Sequence, residues 1–495
     1  MSSMRHLVAM GLAISLGLLT GIGWELVPKA PNLDPLVVLV LWFNLVVILT
    51  ALAIEAGRRP YSLHLMHLIC LFLFLGAASL LQYSRGRLGV AGPIGGVASQ
   101  MLPAAAATTL WLAGYLAAYE GQRLFGSPRR LGAVSRFLVR PIVPSRALVL
   151  GCLAIVGLVY LGAMGLLGAE TRGAAEAALV EYSQQAGAGG LTGALFIVNA
   201  NLTRALPMVA LLAALLVLAR EHRGRVMLGS LVPLLGLGAL VINNPFAASR
   251  MFFTANLYGF AAPFLLRRFK TGWVLVVSIL IGLAFLPALS DTRDKLSLEE
   301  FRASGYSLTS PFQYLATNSD VDSLGMTALC QKWVDRYGHR WGMQILGALL
   351  FWFPRTLWRG KPIGTGSMVT GDLGFDFTNL APPITAEALV DFGLLGVPIL
   401  GAIFGFALAR LDAAYWAPGR QALAASHRIV DAIYPFWLVC IVYFTRGDLF
   451  AALTFTVGFS FWILPLGAGL MVFRPGTERS FEPLEKAPMR PGLRA

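Results

Sequence analysis

Runs of about 20 apolar residues recur from one end of this chain to the other, separated by short polar stretches. Such runs are apolar on every side, which suits helices surrounded by lipid. Twelve are read as spans, at roughly 7–27, 35–54, 63–82, 100–119, 147–167, 193–219, 226–242, 251–266, 272–289, 386–409, 430–445 and 449–472. The first follows Arg5 and His6 as a signal peptide would, but no small-x-small cleavage site is evident, so it is kept as a span. Residues 290–385 break the rhythm by mixing charged and apolar positions.

Composition supports the pattern. The chain is 57% hydrophobic and 13% charged, against roughly 25% charged in soluble domains. Its mean hydropathy is +0.69. The expected fold is an all-α polytopic membrane protein, one transmembrane domain over residues 1–473, with a tail at 474–495 that reads as disordered and cytoplasmic. Four scattered cysteines give no disulfide framework and no metal spacing. The net charge of +14 points to basic cytoplasmic loops rather than nucleic acid.

Lys and Arg fall on alternate loops. One side collects Arg58, Arg59, Arg123, Arg129, Arg130, Arg136, Arg140, Arg146, Arg220, Arg223, Arg225, Arg267, Arg268, Lys270, Arg410, Arg420, Arg428 and the tail. The other holds Lys29, Arg85, Arg87, Arg172, Glu170, Glu176, Glu181 and the central region. Counting the short apolar segment Ile345–Phe353 as a span would turn the basic 410–428 loop outward. It is therefore excluded, and 341–358 is read as a re-entrant or surface helix within one outward region, 290–385. Both termini are then cytoplasmic.

Several charges interrupt apolar sequence on the outward side. Arg446 and Asp448 lie in Y-F-T-R-G-D-L-F, and Arg250 in N-N-P-F-A-A-S-R-M-F-F. Charges at the edge of hydrocarbon are costly and mark function. Arg355, Arg359 and Lys361 lie in W-F-P-R-T-L-W-R-G-K-P, between Pro354 and Pro362. Before them, residues 319–338 have near-helical apolar spacing. That stretch reads as an amphipathic helix on the membrane surface, capped by Ser319 or Asp320 and ended by Gly338. After them, G-T-G-S-M-V-T-G-D-L-G-F-D-F-T-N-L-A-P-P has no helical period and reads as a functional loop. It leads to Glu387 at the top of the tenth span, with Asp391 one turn deeper on the same face.

These motifs, with A-P-P-I-T-A-E-A-L-V-D-F-G-L-L-G, resemble the O-antigen polymerase (Wzy-type) oligosaccharide repeat-unit polymerases, mainly over residues 240–460. The resemblance implies a GT-C-like helical fold in a bacterial inner membrane. It implies donor and acceptor oligosaccharides on undecaprenyl pyrophosphate, chemistry at the periplasmic face, and neither cofactor nor nucleotide sugar. Membrane lipids and a chain-length regulator protein would be its partners. A sugar hydroxyl would attack the donor's anomeric carbon and lipid pyrophosphate would leave. Fixed positive charge helps such a departure, and the planar Arg fork matches phosphate oxygens.

The expected catalytic residues are therefore Glu387 as base, with Arg446 and Arg250. Arg355, Arg359, Lys361, Arg204, Asp448 and Asp391 are the expected substrate-binding residues, with metal dispensable. Asp372, Asp376 and His339 are weaker bases. Plainer readings compete. Arg446 and Asp448 also suit a helix-end pair, Glu387 a helix N-terminal charge, and Arg250 an interfacial anchor. Arg204 lies inside the sixth span unless Pro207 starts it, which would leave Arg204 outside with the others. His64 and His67 read as structural, and Gly17–Gly21 and Gly401–Gly405 as G-x-x-x-G packing. The rival activities are a ligase that moves the glycan to another acceptor, and a flippase or transporter of anionic lipid-linked glycans.

Overall fold

The computed structural model describes residues 2–126, 137–167, 191–219, 225–244, 250–268, 274, 277, 278, 311–353, 355–376, 380–416 and 427–467. In chain order the long helices are α1 (Ser2–Leu26), α2 (Pro35–Arg58), α3 (Leu63–Ser84), α4 (Ala98–Phe125), α5 (Pro144–Ala163), α6 (Leu191–Leu218), α7 (Arg225–Ile242) and α8 (Arg250–Phe264). Four short helices follow, α9 (Pro311–Thr317), α10 (Ser323–Tyr337), α11 (Met343–Leu349) and α12 (Thr365–Asp372), then α13 (Ile384–Trp416), α14 (Ile429–Arg446), α15 (Leu449–Ser460) and α16 (Ile463–Gly467). A small hairpin, β1 (Arg87–Leu88) with β2 (Gly92–Pro93), joins α3 to α4. Among the described residues eight helices are long and apolar enough to cross a membrane, namely α1 to α5, α13, α14 and α15 continued by α16, while Leu202–Leu218 in α6 and Val226–Ile242 in α7 are shorter apolar helices. Most of the ninth expected span, the tail, and Glu170, Arg172, Glu176, Glu181, Arg129, Arg130, Arg136, Arg220, Arg223, Lys270 and Arg420 lie outside the described residues.

Every residue of α3 is buried. A helix apolar on all sides belongs in the centre, and α2, α4, α13 and α14 enclose it. Its middle turns, Leu71–Ala77, are π-helical. Side chains such as Leu18, Leu39, Val156 and Leu395 face away from the bundle and are exposed, as lipid contact requires. The closest helix pair is α13 on α4. A Cβ on Gly114 would meet the Pro398 carbonyl, one on Gly401 would lie 2.9 Å from the Trp111 carbonyl, and one on Gly405 2.3 Å from the Tyr115 carbonyl. The second G-x-x-x-G is thus a packing motif. In the first, Gly17 touches Leu49, but Gly21 has open space. Prolines 103, 207, 233, 263, 398 and 435 sit inside helices instead of ending them, which membrane helices tolerate.

The helices alternate between two ends. At one end Arg58 pairs with Glu120 (3.2 Å), Arg59 with Asp412 (3.7 Å) and Arg428 with Asp431 (3.2 Å). At the other, Arg85 binds the Ala316 carbonyl (3.1 Å), Lys332 the Gly96 carbonyl (3.0 Å) and Arg446 binds Asp320 (3.0 Å). The basic loops and the central region therefore occupy opposite ends of the bundle.

Three expectations for the central region are corrected. The helix expected at 319–338 starts at Ser323, capped by Asp322, and ends at Gly338. It is largely buried against α4 and α13 instead of lying on a surface, because its apolar side meets protein. The segment 341–358 forms only the seven-residue α11 and turns. The Gly-rich stretch contains a helix, α12, whose small residues hide the period.

Candidate functional site

Glu387 and Asp448 line one pocket at the central-region end, with Gln344, Gly347, Ala348, Pro362, Ile363, Gly364, Thr365 and Phe450. The space, open mouth included, is about 190 Å³, and its enclosed part has room for about one water molecule. Glu387 is buried on the first turn of α13. Its Oε1 accepts from Leu449 N (3.0 Å), and its Oε2 accepts from the Thr365 hydroxyl. Asp448 caps α15, its Oδ1 accepting from Phe450 N (2.9 Å), while its Oδ2 accepts from Gly366 N (3.3 Å). Three helix N-termini, those of α12, α13 and α15, therefore converge on two carboxylates. Their unpaired N–H groups and dipoles favour negative charge there. Burial pushes the Asp448 carboxyl above its usual range, against the opposing pull of the Gly366 and Phe450 amides.

Local sequence explains the convergence. A Cβ on Gly364 would lie 2.6 Å from Asp448 Oδ2, and one on Gly366 1.9 Å from the Leu380 carbonyl. The G-T-G at the start of α12 lets the returning chain and the Asp448 carboxylate approach its backbone.

The cations behave differently from one another. Lys361 is buried, and its Nζ donates to the carbonyls of Phe351 (2.7 Å) and Phe353 (2.9 Å) over the Phe450 ring. Burial and the neighbouring Arg355 push its ammonium below the usual lysine range. Arg355 donates to the carbonyls of Lys361 (2.6 Å) and Pro362 (2.9 Å). Both clamp their own loop, Lys361 from a buried position and Arg355 from an exposed one. Arg359 is exposed and has no partner among the described residues. Arg446 binds Asp320 through Nε to the carbonyl and Nη2 to Oδ1, so it does not pair with Asp448. Its Nη1 has no partner among the described residues.

Asp391 also departs from expectation. Its carboxylate accepts from Gln344 N (3.1 Å) and Ile345 N (2.9 Å), closing the first turn of α11, so each of its oxygens already serves the fold. Arg204 sits inside α6, which continues through Pro207. Its guanidinium lies over Phe252 (5.6 Å), a ring packed on Phe455 and Phe459, about 10–17 Å along α15 from Asp448. The structure thus places it within the bundle, apart from the pocket. Arg250 opens α8, and its side chain lies outside the described residues. Asp372 accepts from Trp333 Nε1 (2.9 Å) and Asp376 is exposed; neither lines the pocket.

Sequence reading missed Thr365, the pairing of Asp320 with Arg446, and Asp322. The first is a small residue in a loop without period. The other two act through turns whose partners lie far away in the chain. The fold makes this an all-α polytopic membrane protein with a carboxylate-lined pocket at one end. Comparison with protein-family models, with curated proteins and with solved structures finds no match.

Proposed function

We propose that the chain joins oligosaccharide repeat units carried on undecaprenyl pyrophosphate, as the O-antigen polymerases it resembles do. In this reading it is a twelve-span, GT-C-like enzyme of a bacterial inner membrane, with cytoplasmic termini and a periplasmic site. The observation that carries the reading is the Glu387–Asp448 pocket lying at the same end as the exposed Arg359 and the partly committed Arg446. Glu387 removes the proton from the attacking sugar hydroxyl. Arg359 and Arg446 meet the departing pyrophosphate, with Arg250 as a further cation. Arg355 and Lys361 hold the loop that presents Arg359.

The test is chain growth from purified lipid-linked oligosaccharide in vesicles carrying the full protein. Glu387→Gln is expected to slow laddering about 10²–10⁴-fold, the usual worth of a placed base. Arg446→Ala is expected to slow it about 10–100-fold, since a charged hydrogen bond contributes about 1.5–3 kcal/mol. Unchanged laddering in both folded variants would sink the proposal. Transfer only to an added foreign acceptor would favour the ligase. The interrupted α13, a feature of many carriers, favours a transporter as the second reading, and translocation without chain growth would select it.

A further inference from the structure

Helix α13 is two helices meeting at Gly393, whose φ of 68° and ψ of −167° lie where essentially only glycine goes. An unbroken helix would give the Val390 and Asp391 carbonyls to the amides of Leu394 and Leu395. They accept instead from Arg340 N (3.0 Å) and Trp341 N (2.8 Å). Trp341 makes the second of these bonds at φ 54°, a left-handed conformation unfavourable for a tryptophan. The residue is 75% exposed, so packing within the chain does little to offset that strain. The Asp391 carboxylate adds the two bonds to Gln344 N and Ile345 N. Beyond the break, α13 is fixed to α4 through Gly401 and Gly405. Residues 384–392 are therefore tied at their C-terminal end to the 338–345 segment instead of to the rest of α13, while Glu387 is also held by Leu449 N and the Thr365 hydroxyl.

We propose that Asp391 is a positioning residue that seats this half-helix and so sets where Glu387 stands. The two residues are one turn apart on one face. The helix whose first turn Asp391 closes, α11, supplies Gln344, Gly347 and Ala348 to the same pocket that Glu387 lines. Asp391 thus joins two elements that line the pocket, α11 and the half-helix that carries Glu387. The role in turnover rests on Glu387 being the base; the seating itself does not.

The experiment measures amide hydrogen exchange and chain growth on the full protein in vesicles, for wild type, Asp391→Ala and Asp391→Glu. In Asp391→Ala, exchange is expected to rise at least about 10-fold in peptides covering 340–346 and 384–392, and to stay unchanged in those covering 398–408. Turnover should fall about 10-fold or more with the acceptor KM unchanged, and Asp391→Glu should recover part of both. Gly393→Ala, whose Cβ would also meet the His339 ring at 2.9 Å, should lower turnover in the same way. Unaltered exchange in Asp391→Ala overturns the seating, and so does a rise spread evenly over the chain. Locally faster exchange with normal turnover overturns the positioning role. Locally faster exchange in a protein whose wild type shows no chain growth leaves the seat standing and removes the polymerase reading instead.

Discussion

A buried lysine and an exposed arginine two residues apart look alike in sequence, yet they do different work. Lys361 has desolvated its ammonium against two carbonyls, whereas Arg359 reaches solvent. Lys361→Ala leaves the Phe351 and Phe353 carbonyls without their donor. It is expected to destabilise by about 1.5–3 kcal/mol, while Arg359→Ala leaves stability unchanged and lowers only activity. Thermal unfolding of the two variants in one detergent separates them; equal melting would refute the division. Asp322 gives a second test at this scale. It binds Val90 N and Gly325 N (both 2.7 Å), and burial raises its carboxyl from 3.8 to about 6. The folded state therefore holds the proton to higher pH than the unfolded chain does. The stabilisation this gives is complete below pH about 4 and is lost as pH rises through about 6, about 3 kcal/mol in all. Unfolding measured from pH 4 to 7 should show that fall, and Asp322→Asn should flatten it. An unchanged slope in the variant would assign the effect to another group.

Periodicity located the helices of this chain because a span must be apolar over its whole length, whatever it packs on. It served less well where packing decides. The segment 319–338 shows an apolar stripe, and a stripe does not say whether lipid or protein covers it. The α12 helix is built of Gly, Thr, Ser and Asp around two apolar residues, so no stripe exists to be read. The two G-x-x-x-G pairs divide on the same ground. Gly405→Ala must displace the backbone of α4 at Tyr115 and should cost about 1–3 kcal/mol, the usual range for overpacking. Gly21→Ala meets nothing and should be neutral or stabilising by up to about 1 kcal/mol through helix propensity. Melting temperatures that move the same way for both would show that spacing alone sets the outcome.

The sorting of charge to two ends was legible at the scale of the whole molecule, because Lys and Arg counts in loops need no contacts to be known. The candidate site was legible as a region and not as a set of roles. Glu387, Asp448 and the 355–362 loop do assemble, but which charges are already satisfied depends on carbonyls and amides that no residue type reveals. The same holds at the opposite end, where the buried α3 begins. Asp412, 1% exposed, accepts from Leu63 N (3.0 Å), His64 N (3.3 Å), the Tyr119 hydroxyl (2.7 Å) and the Tyr434 hydroxyl (2.5 Å), beside Arg59. Helices α3, α4, α13 and α14 thus meet at one carboxylate. Deeper in α3, His67 accepts from Trp111 Nε1 (3.1 Å), which leaves its Nδ1 as the donor to Thr445 (2.8 Å). That is the structural role its sequence context implied. An apolar helix surrounded by protein has no water to satisfy its first amides, so this carboxylate is the point on which the central packing depends. Asp412→Ala strands the His64 amide and the Tyr119 and Tyr434 hydroxyls, with Leu63 N keeping the Tyr434 oxygen (3.1 Å), and leaves Arg59 without its nearest anion. It is expected to cost about 3–5 kcal/mol and to leave little folded protein. Asp412→Asn keeps one acceptor oxygen and should fall between. Recovery of monodisperse protein from membranes and its melting temperature measure both. Wild-type values for Asp412→Ala would mean that these ends of the helices are held together by packing alone.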